Sequence, residues 1–562
     1  MATNTAHETD THGPSGWSRW FVTTDHKDVG RLYLAWTILF FFLAGLLAMV
    51  FRVSLLQPGM PGWLSKGEYN AIVTMHGATM IFIVAMGALS AFGNLLLPKL
   101  VGVDEMAYPR ANALSFWIFS TGTVIMWVPI FTHWILGMNQ LPFAGGWTAY
   151  APLSTSPKFL NTYGANMFFV GVGLAEIGTT IGSLNILTTF FNERSPELGL
   201  MDVPVMAWAI IVTSAAALIW LVPLIVLFAM GVLTRNYGFI FFDAAKGGWP
   251  LLYQHLFWSF GHPEVYIVLY PFLGAIAEIV PRFSHRPLYG YRAYVFSMIY
   301  IAIMASLVWA HHMFTTGIMG VRFFFMVTTL SIPVGFGIIV FCLLATIWKG
   351  RIELRTPMLF AAGSTLMLLY SGMDGVMLGS PVIDTQYQAT YWVVSHFHYT
   401  LFGGVIMGFF AAVYYWFPYI TGRMYNETLG KIHWGFTMAF APLTFYGMGE
   451  LGNLGMNRRY ATYTAMSAQG PPSLVLVHFW HQWTTVFALL LGLGQLFLLW
   501  NVVASLRDDP VDEPWKDILD GMPSPEWDGL PYRPPTPANL RGQTDGGPAR
   551  TDGSGVEVSS DD

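Results

Sequence analysis

The chain has 562 residues, 54% of them hydrophobic and only 10% charged, and its mean hydropathy is +0.50; a soluble domain carries about 25% charged residues, so this is the composition of an integral membrane protein. The formal charge of −5, from 27 basic and 32 acidic residues with no basic stripe, leaves no electrostatic footprint for a nucleic acid. A single cysteine, Cys342, excludes an internal disulfide, a Cys-ligated iron–sulfur cluster, a C-x-x-C-H haem attachment and a dithiolate metal site within this chain.

The N-terminal stretch "MATNTAHETDTHGPSGWSRWF" is polar and lacks the basic-then-apolar order of a cleavable signal, so the first helix is expected to be retained. Runs of roughly 20 apolar residues, enough to cross a hydrocarbon core about 30 Å thick, are predicted at 32–52, 71–97, 112–137, 164–192, 205–233, 253–280, 293–317, 323–348, 357–379, 391–419, 432–453 and 473–504. Gly, Pro and charges punctuate the joins, as in "QPGMPGW", "GVDEMAYPR" and "KGRIELRTP". The expected fold is an all-α integral membrane bundle of twelve transmembrane helices. Residues 1–30 form a cytoplasmic N-terminal segment, 31–504 the membrane domain, and 505–562 an acidic, Pro/Gly-rich tail, most of it solvated. With the N-terminus cytoplasmic, fourteen basic residues fall on the inner face, eight on the outer and five in the tail, so both termini are expected inside.

Ionisable groups in hydrocarbon are costly and face a partner or a cavity. Six histidines lie well inside predicted spans: His76, His262, His311, His312, His396 and His398. In span four, Glu176 has no obvious partner in sequence; it either lines a hydrated pocket or hydrogen-bonds across helices, among small residues that suit close packing. In span six, "GHPEVY" places His262 and Tyr266 one turn apart on one face, with Glu264 nearly opposite. Pro263 removes a backbone donor there and is expected to bend the helix. His311 and His312, adjacent near a helix end, can both lean toward one centre. His396 and His398 in "VVSHFHY" are about 200° apart around a helix and must serve two sites. Imidazole suits copper, zinc, iron and nickel. With no thiolate available, His262, His311 and His312 are an economical copper set, while His76, His396 and His398 fit axial haem ligation.

These residues resemble subunit I of the haem–copper terminal oxidases, in the branch with a His-Pro-Glu-Val-Tyr motif. The resemblance runs in order along the membrane part through "TDHKDVGRLYL", "TMHGATMIF", "GVDEMAYPRANALSFW", "YQHLFWSFGHPEVYI", "VWAHHMFTTG", "VVSHFHY" and "LGNLGMNRRY". It implies a bundle enclosing two haems and a copper: His76 and His398 on a low-spin haem, His396 on a high-spin haem facing copper held by His262, His311 and His312. It further implies Tyr266 as the redox phenol linked to His262, Arg458 and Arg459 on haem propionates, Arg52 near the low-spin haem's ring substituent, and Trp258 against the copper site.

Glu264 would end a proton path from the cytoplasm. Its entrance is Glu105 or Asp104, which stand where the family has Pro-Asp, and Asn94 and Asn112 line it. The implied activity is reduction of O2 to water in a respiratory chain, with proton uptake and proton pumping. The implied cofactors are haems of A type, with O or B as alternatives, and one copper, any dinuclear copper residing in a partner subunit. Implied partners are oxidase subunits II and III and a cytochrome c or small copper protein as donor, with quinol as the alternative, in a prokaryotic-type cell membrane. Two departures stand out. The family's span-eight lysine is absent: Val334 and Gly337 occupy the corresponding text, leaving Thr328, Thr329 and Ser331 as polar neighbours. Where the family often holds magnesium with His-Asp, this chain has Gln388 and Ala389, so a magnesium site is not expected. Nitric oxide reductases keep the histidines but lack this tyrosine. A non-redox proton-coupled transporter is the rival from another class, and it predicts a colourless protein.

Overall fold

A computed structural model describes residues 16–469, 471–512 and 514–515. Each predicted apolar run becomes helix, because lipid leaves backbone groups no partner except those within the helix itself. The helices are α1 (His26–Ser54), α2 (Lys66–Leu100), α3 (Pro109–Trp134), α4 (Thr162–Glu193), α5 (Val205–Tyr237), α6 (Pro250–Phe283), α7 (Tyr291–Ala305), α8 (Arg322–Ile347), α9 (Thr356–Leu378), α10 (Tyr391–Thr421), α11 (Glu427–Asn453) and α12 (Ser473–Ser505). The described residues contain no β-strand, only two isolated bridges. Side chains start several helices: Asp25 accepts from Asp28 N at 2.9 Å, and Ser65 with Glu68 makes a reciprocal capping box.

The count of twelve crossings is not reproduced by length and apolarity. Among the described residues nine helices qualify, or ten if α9 is taken with the short Pro381–Tyr387 helix that follows at a 102° bend. The two others are α7, which has only 15 residues, and α11, which carries Glu427, Lys431, His433 and Glu450. Span seven was expected to run from 293 to 317. Instead α7 stops at Ala305, and a separate 3₁₀ turn, Trp309–Met313, carries His311 and His312. α6 is one continuous helix through Pro263.

The middle of the bundle is built from α2, α6 and α10, each with more than four-fifths of its apolar stretch buried, whereas α1, α8 and α12 bury no more than about a third of theirs. α3 and α4 pack backbone to backbone: a Cβ on Gly122 would collide with the carbonyl oxygen of Gly171. Both α2 and α10 widen into π-helical turns, over Thr79–Ala85 and Tyr399–Ile406.

Trp515 is buried, its ring 5.3 Å from Phe283 and its indole N–H donating to Tyr415 O at 2.9 Å, so the start of the tail packs on the ends of α6 and α10. Residues 516–562, and 1–15 at the other end, lie outside the described residues.

Candidate metal and haem centre

The three most enclosed helices carry four of the six intramembrane histidines: His76 on α2, His262 on α6, and His396 and His398 on α10. The 3₁₀ turn after α7 adds His311 and His312. All six line one cavity of about 1280 Å³, above the ~300–1,000 Å³ usual for a single ligand.

His262, His311 and His312 converge, one nitrogen from each lying within 4.8 Å of the others. His262 Nδ1 is 3.1 Å from His312 Nε2, which is 3.0 Å from His311 Nε2. A metal with metal–nitrogen distances of about 2.0 Å and tetrahedral angles separates its nitrogens by about 3.3 Å, so the trio fits a nitrogen-bound transition ion. Neighbours hold each ring in place. His311 Nδ1 meets Thr329 Oγ1 at 2.8 Å. His312 stacks on Trp258, centroids 3.8 Å apart, while the Trp258 indole donates to Tyr150 OH. The other nitrogen of His262, Nε2, lies 3.0 Å from Tyr266 OH, so one imidazole joins the metal-binding space to the phenol. The i, i+4 spacing thus brings ligand and phenol together as expected.

His396 faces the same space and interacts electrostatically with all three. Ser371 lies beside it, its hydroxyl donating to His396 O at 3.1 Å. His398 turns the other way, toward His76. His76 Nδ1 is 2.9 Å from Ala44 O and His398 Nδ1 is 2.8 Å from Val394 O, so each commits one nitrogen to a carbonyl and leaves Nε2 for the cavity. This second hydrogen bond fixes the tautomer a metal-binding imidazole needs. The residues present therefore fit two macrocyclic iron groups and one copper: opposed free nitrogens at one end, and a single histidine facing a three-histidine cluster at the other.

Around the rim, Arg52 is buried, with Nη2 donating to His481 O and Thr485 Oγ1, both at 2.9 Å; its Nε and Nη1 have no partner among the described residues. Arg458 and Arg459 also border the cavity. Arg459 Nη1 reaches Thr148 Oγ1 at 3.4 Å, and its Nη2 has no partner among the described residues. Burial and the charge of Arg458 push Arg459 down to about 9. Two adjacent guanidiniums so placed call for carboxylates, which they match bidentately. Gly146 makes room: at φ +79° it sits where a Cβ would be 2.7 Å from Arg459 Nη1.

The two acidic residues that the sequence left as alternatives differ in their settings. Asp104 is exposed, whereas Glu105 is half-buried and accepts from Met106 N at 2.8 Å and His26 N at 3.2 Å. Burial holds Glu105 above the usual carboxylate range. His26 Nδ1 lies 2.7 Å from Asn94 O, and Asn112 donates to Asn94 at 2.5 Å. Ser115 donates to Asn112 O at 2.6 Å and lies 3.1 Å from Tyr33 OH. This buried polar ladder rises from Glu105 toward the interior, where Glu264 borders the cavity with Oε1 unpartnered among the described residues.

His26, Tyr33, Ser115 and Tyr150 were not singled out from sequence. His26 and Tyr33 lie within the matching "TDHKDVGRLYL" stretch and Ser115 within "GVDEMAYPRANALSFW", and those stretches were the available signal. In α8, Ser331 donates to Thr328 O at 2.6 Å, and Thr328 is half-buried and donates to backbone carbonyls. Of the three, Thr329 alone borders the cavity. Cys342 is buried core, as expected. Gln388 donates to His312 O at 2.8 Å, a structural tie where the family often has a magnesium ligand.

The family model for cytochrome c and quinol oxidase polypeptide I matches residues 28–490. Cytochrome c oxidase subunit 1 of Corynebacterium efficiens is 41% identical over 511 residues, covering 90% of this chain and 85% of that protein. The corresponding polypeptide of Halobacterium salinarum is 37% identical over 507 residues, covering 89% and 82%. A solved heme-copper terminal oxidase dimer shares the fold, with a TM-score of 0.71 at 18% identity over 89% of this chain and 86% of that one. Sequence, architecture and the convergent histidines thus agree, and the chain belongs to the cytochrome c and quinol oxidase polypeptide I family, the catalytic subunits of the haem–copper oxidoreductases.

Proposed function

We propose that this chain reduces O2 to water in a respiratory membrane, and that His76 and His398 would hold a low-spin haem and His396 a high-spin haem. Copper would be held by His262, His311 and His312. The observation that carries this reading is the three-histidine cluster opposite His396, with Tyr266 hydrogen-bonded to the far nitrogen of one of its members.

When bound, the irons and copper supply the electron route and the place where oxygen is held. The chain supplies orientation and protons. Trp258, Thr329 and Gln388 hold the copper-site turn, so that three imidazole lone pairs meet without rearrangement. Tyr266 presents a phenol O–H beside that meeting point and serves as local proton and electron donor. Arg458 and Arg459 clamp propionates on the outer side, and Arg52 meets a polar ring substituent; the two unpartnered nitrogens of Arg52 support A-type haems over O and B.

Protons enter at Glu105 and pass through the polar ladder by Asn94 and Asn112 to Glu264, from which they serve the chemistry or are pumped outward. Substituting E105Q is expected to lower turnover about tenfold, while D104N leaves it near wild type. Equal losses in the two variants, measured as oxygen uptake, would contradict this assignment.

Both termini face the cytoplasm of a prokaryotic-type cell membrane, with 1–30 and the tail from 505 flanking the catalytic bundle. Subunits II and III or their equivalents accompany the chain, the former carrying any dinuclear copper. Cytochrome c is the favoured donor over a small copper protein or quinol, supported by the naming of the relatives. Purified with its companions, the complex should show two distinct haem bands, one copper per two irons in this subunit, and oxygen uptake with reduced cytochrome c. A colourless, metal-free preparation would instead favour a proton-coupled transporter.

A further inference from the structure

Glu176 is not used by any step above. It lies midway along α4, fully buried, and among the described residues neither carboxyl oxygen has a hydrogen-bond partner. Thr179 approaches it, yet that hydroxyl donates to Ala175 O at 3.2 Å. No cationic side chain among the described residues interacts with it. A carboxyl group kept in such a place without a protein partner is a group that meets water.

Its surroundings form a stripe. Glu176, Thr179 and Ser183 fall at i, i+3 and i+7, and all are buried on one face. One residue before Ser183, at Gly182, α4 meets the polar ladder: a Cβ there would lie 3.6 Å from Ser115 Oγ. Glu176 is six residues deeper into the membrane, about 9 Å at 1.5 Å per residue. Glu264 on α6 is near enough to interact with it electrostatically. Asn112 Oδ1, both oxygens of Glu176 and Glu264 Oε1 are buried with no hydrogen-bond partner among the described residues. Small residues at Gly171, Gly178 and Gly182 account for the helix packing, and packing alone asks for no carboxyl group here.

We propose that Glu176 is a proton-holding site on the cytoplasmic path, between the Ser115–Tyr33 rung and the cavity floor at Glu264, an inference that rests on the oxidase reading above. The acid gives its proton to water on the Glu264 side and takes one from water on the Ser115 side. On each pass one O–H bond breaks and one forms, and the charge of the residue is restored. Glu176 acts through its neighbours and touches neither oxygen nor metal, so it is a positioning residue.

The test uses the complete oxidase, purified with its partner subunits as wild type, E176Q and E176D. Infrared difference spectra between oxidised and reduced enzyme should contain a protonated-carboxyl C=O band that is absent from E176Q and displaced in E176D. Turnover should fall about tenfold in E176Q and recover in E176D, with haem absorption and copper content unchanged. Unchanged turnover in E176Q overturns the proposal, whatever the band does. If E176Q does not assemble, E176D decides, and a band that stays in place there overturns it. A wild-type complex that consumes no oxygen overturns the oxidase reading itself, a result visible before any substitution is made.

Discussion

Replacing His311 by alanine is expected to bring oxygen uptake below about one per cent of wild type, beyond the roughly 10–100-fold cost of losing an outer-shell metal partner. The reason lies in the turn that carries it. His311 and His312 are consecutive on a five-residue 3₁₀ segment, and their Nε2 atoms are 3.0 Å apart. Removing one leaves two imidazoles, from α6 and the turn, which cannot fill three coordination positions. Metal analysis should show copper lost and iron retained, because His76, His396 and His398 belong to other helices. Full copper occupancy in this variant would refute the assignment of the trio, whatever the rate.

Tyr266→Phe should give the opposite signature, with copper and both haem bands retained while turnover falls about 10²-fold or more. The ring stays in its place beside Phe336, centroids 5.9 Å apart, and only the O–H that meets His262 Nε2 at 3.0 Å is removed. Stopped-flow spectra should show normal electron arrival at the low-spin haem and a stall at the oxygen site. A Phe variant with wild-type turnover would make the phenol a bystander.

The sequence made the chemistry legible because burying imidazole in lipid is costly, and six such exceptions in one chain have a common cause. The His262–Tyr266 and His396–His398 geometries followed from helical pitch alone, and the structure keeps both. The length of span seven did not follow: apolar text continues past Ala305, and composition cannot report that the backbone turns there to bring two adjacent imidazoles onto one point. The polar ladder was half legible. Asn94 and Asn112 stood out in apolar runs, whereas His26 sits at a helix start, where a histidine ordinarily faces solvent, and only tertiary packing puts it between Glu105 and Asn94. Trp515 was hidden for a similar reason, as one aromatic residue in a polar tail gives no periodic signal. The choice between Asp104 and Glu105 required knowing which carboxylate turns inward.

The wide turns at Thr79–Ala85 and Tyr399–Ile406 begin three residues after His76 and one after His398. In an ordinary coil, losing a single residue swings every later side chain by about 100°, which would aim an iron-binding imidazole at lipid. Within a wide turn the surplus residue can be given up, the coil tightens to normal pitch, and the flanks stay in phase. Length variation in proteins of this architecture should therefore gather at these two places, the only stretches of α2 and α10 where phase and chain length are uncoupled.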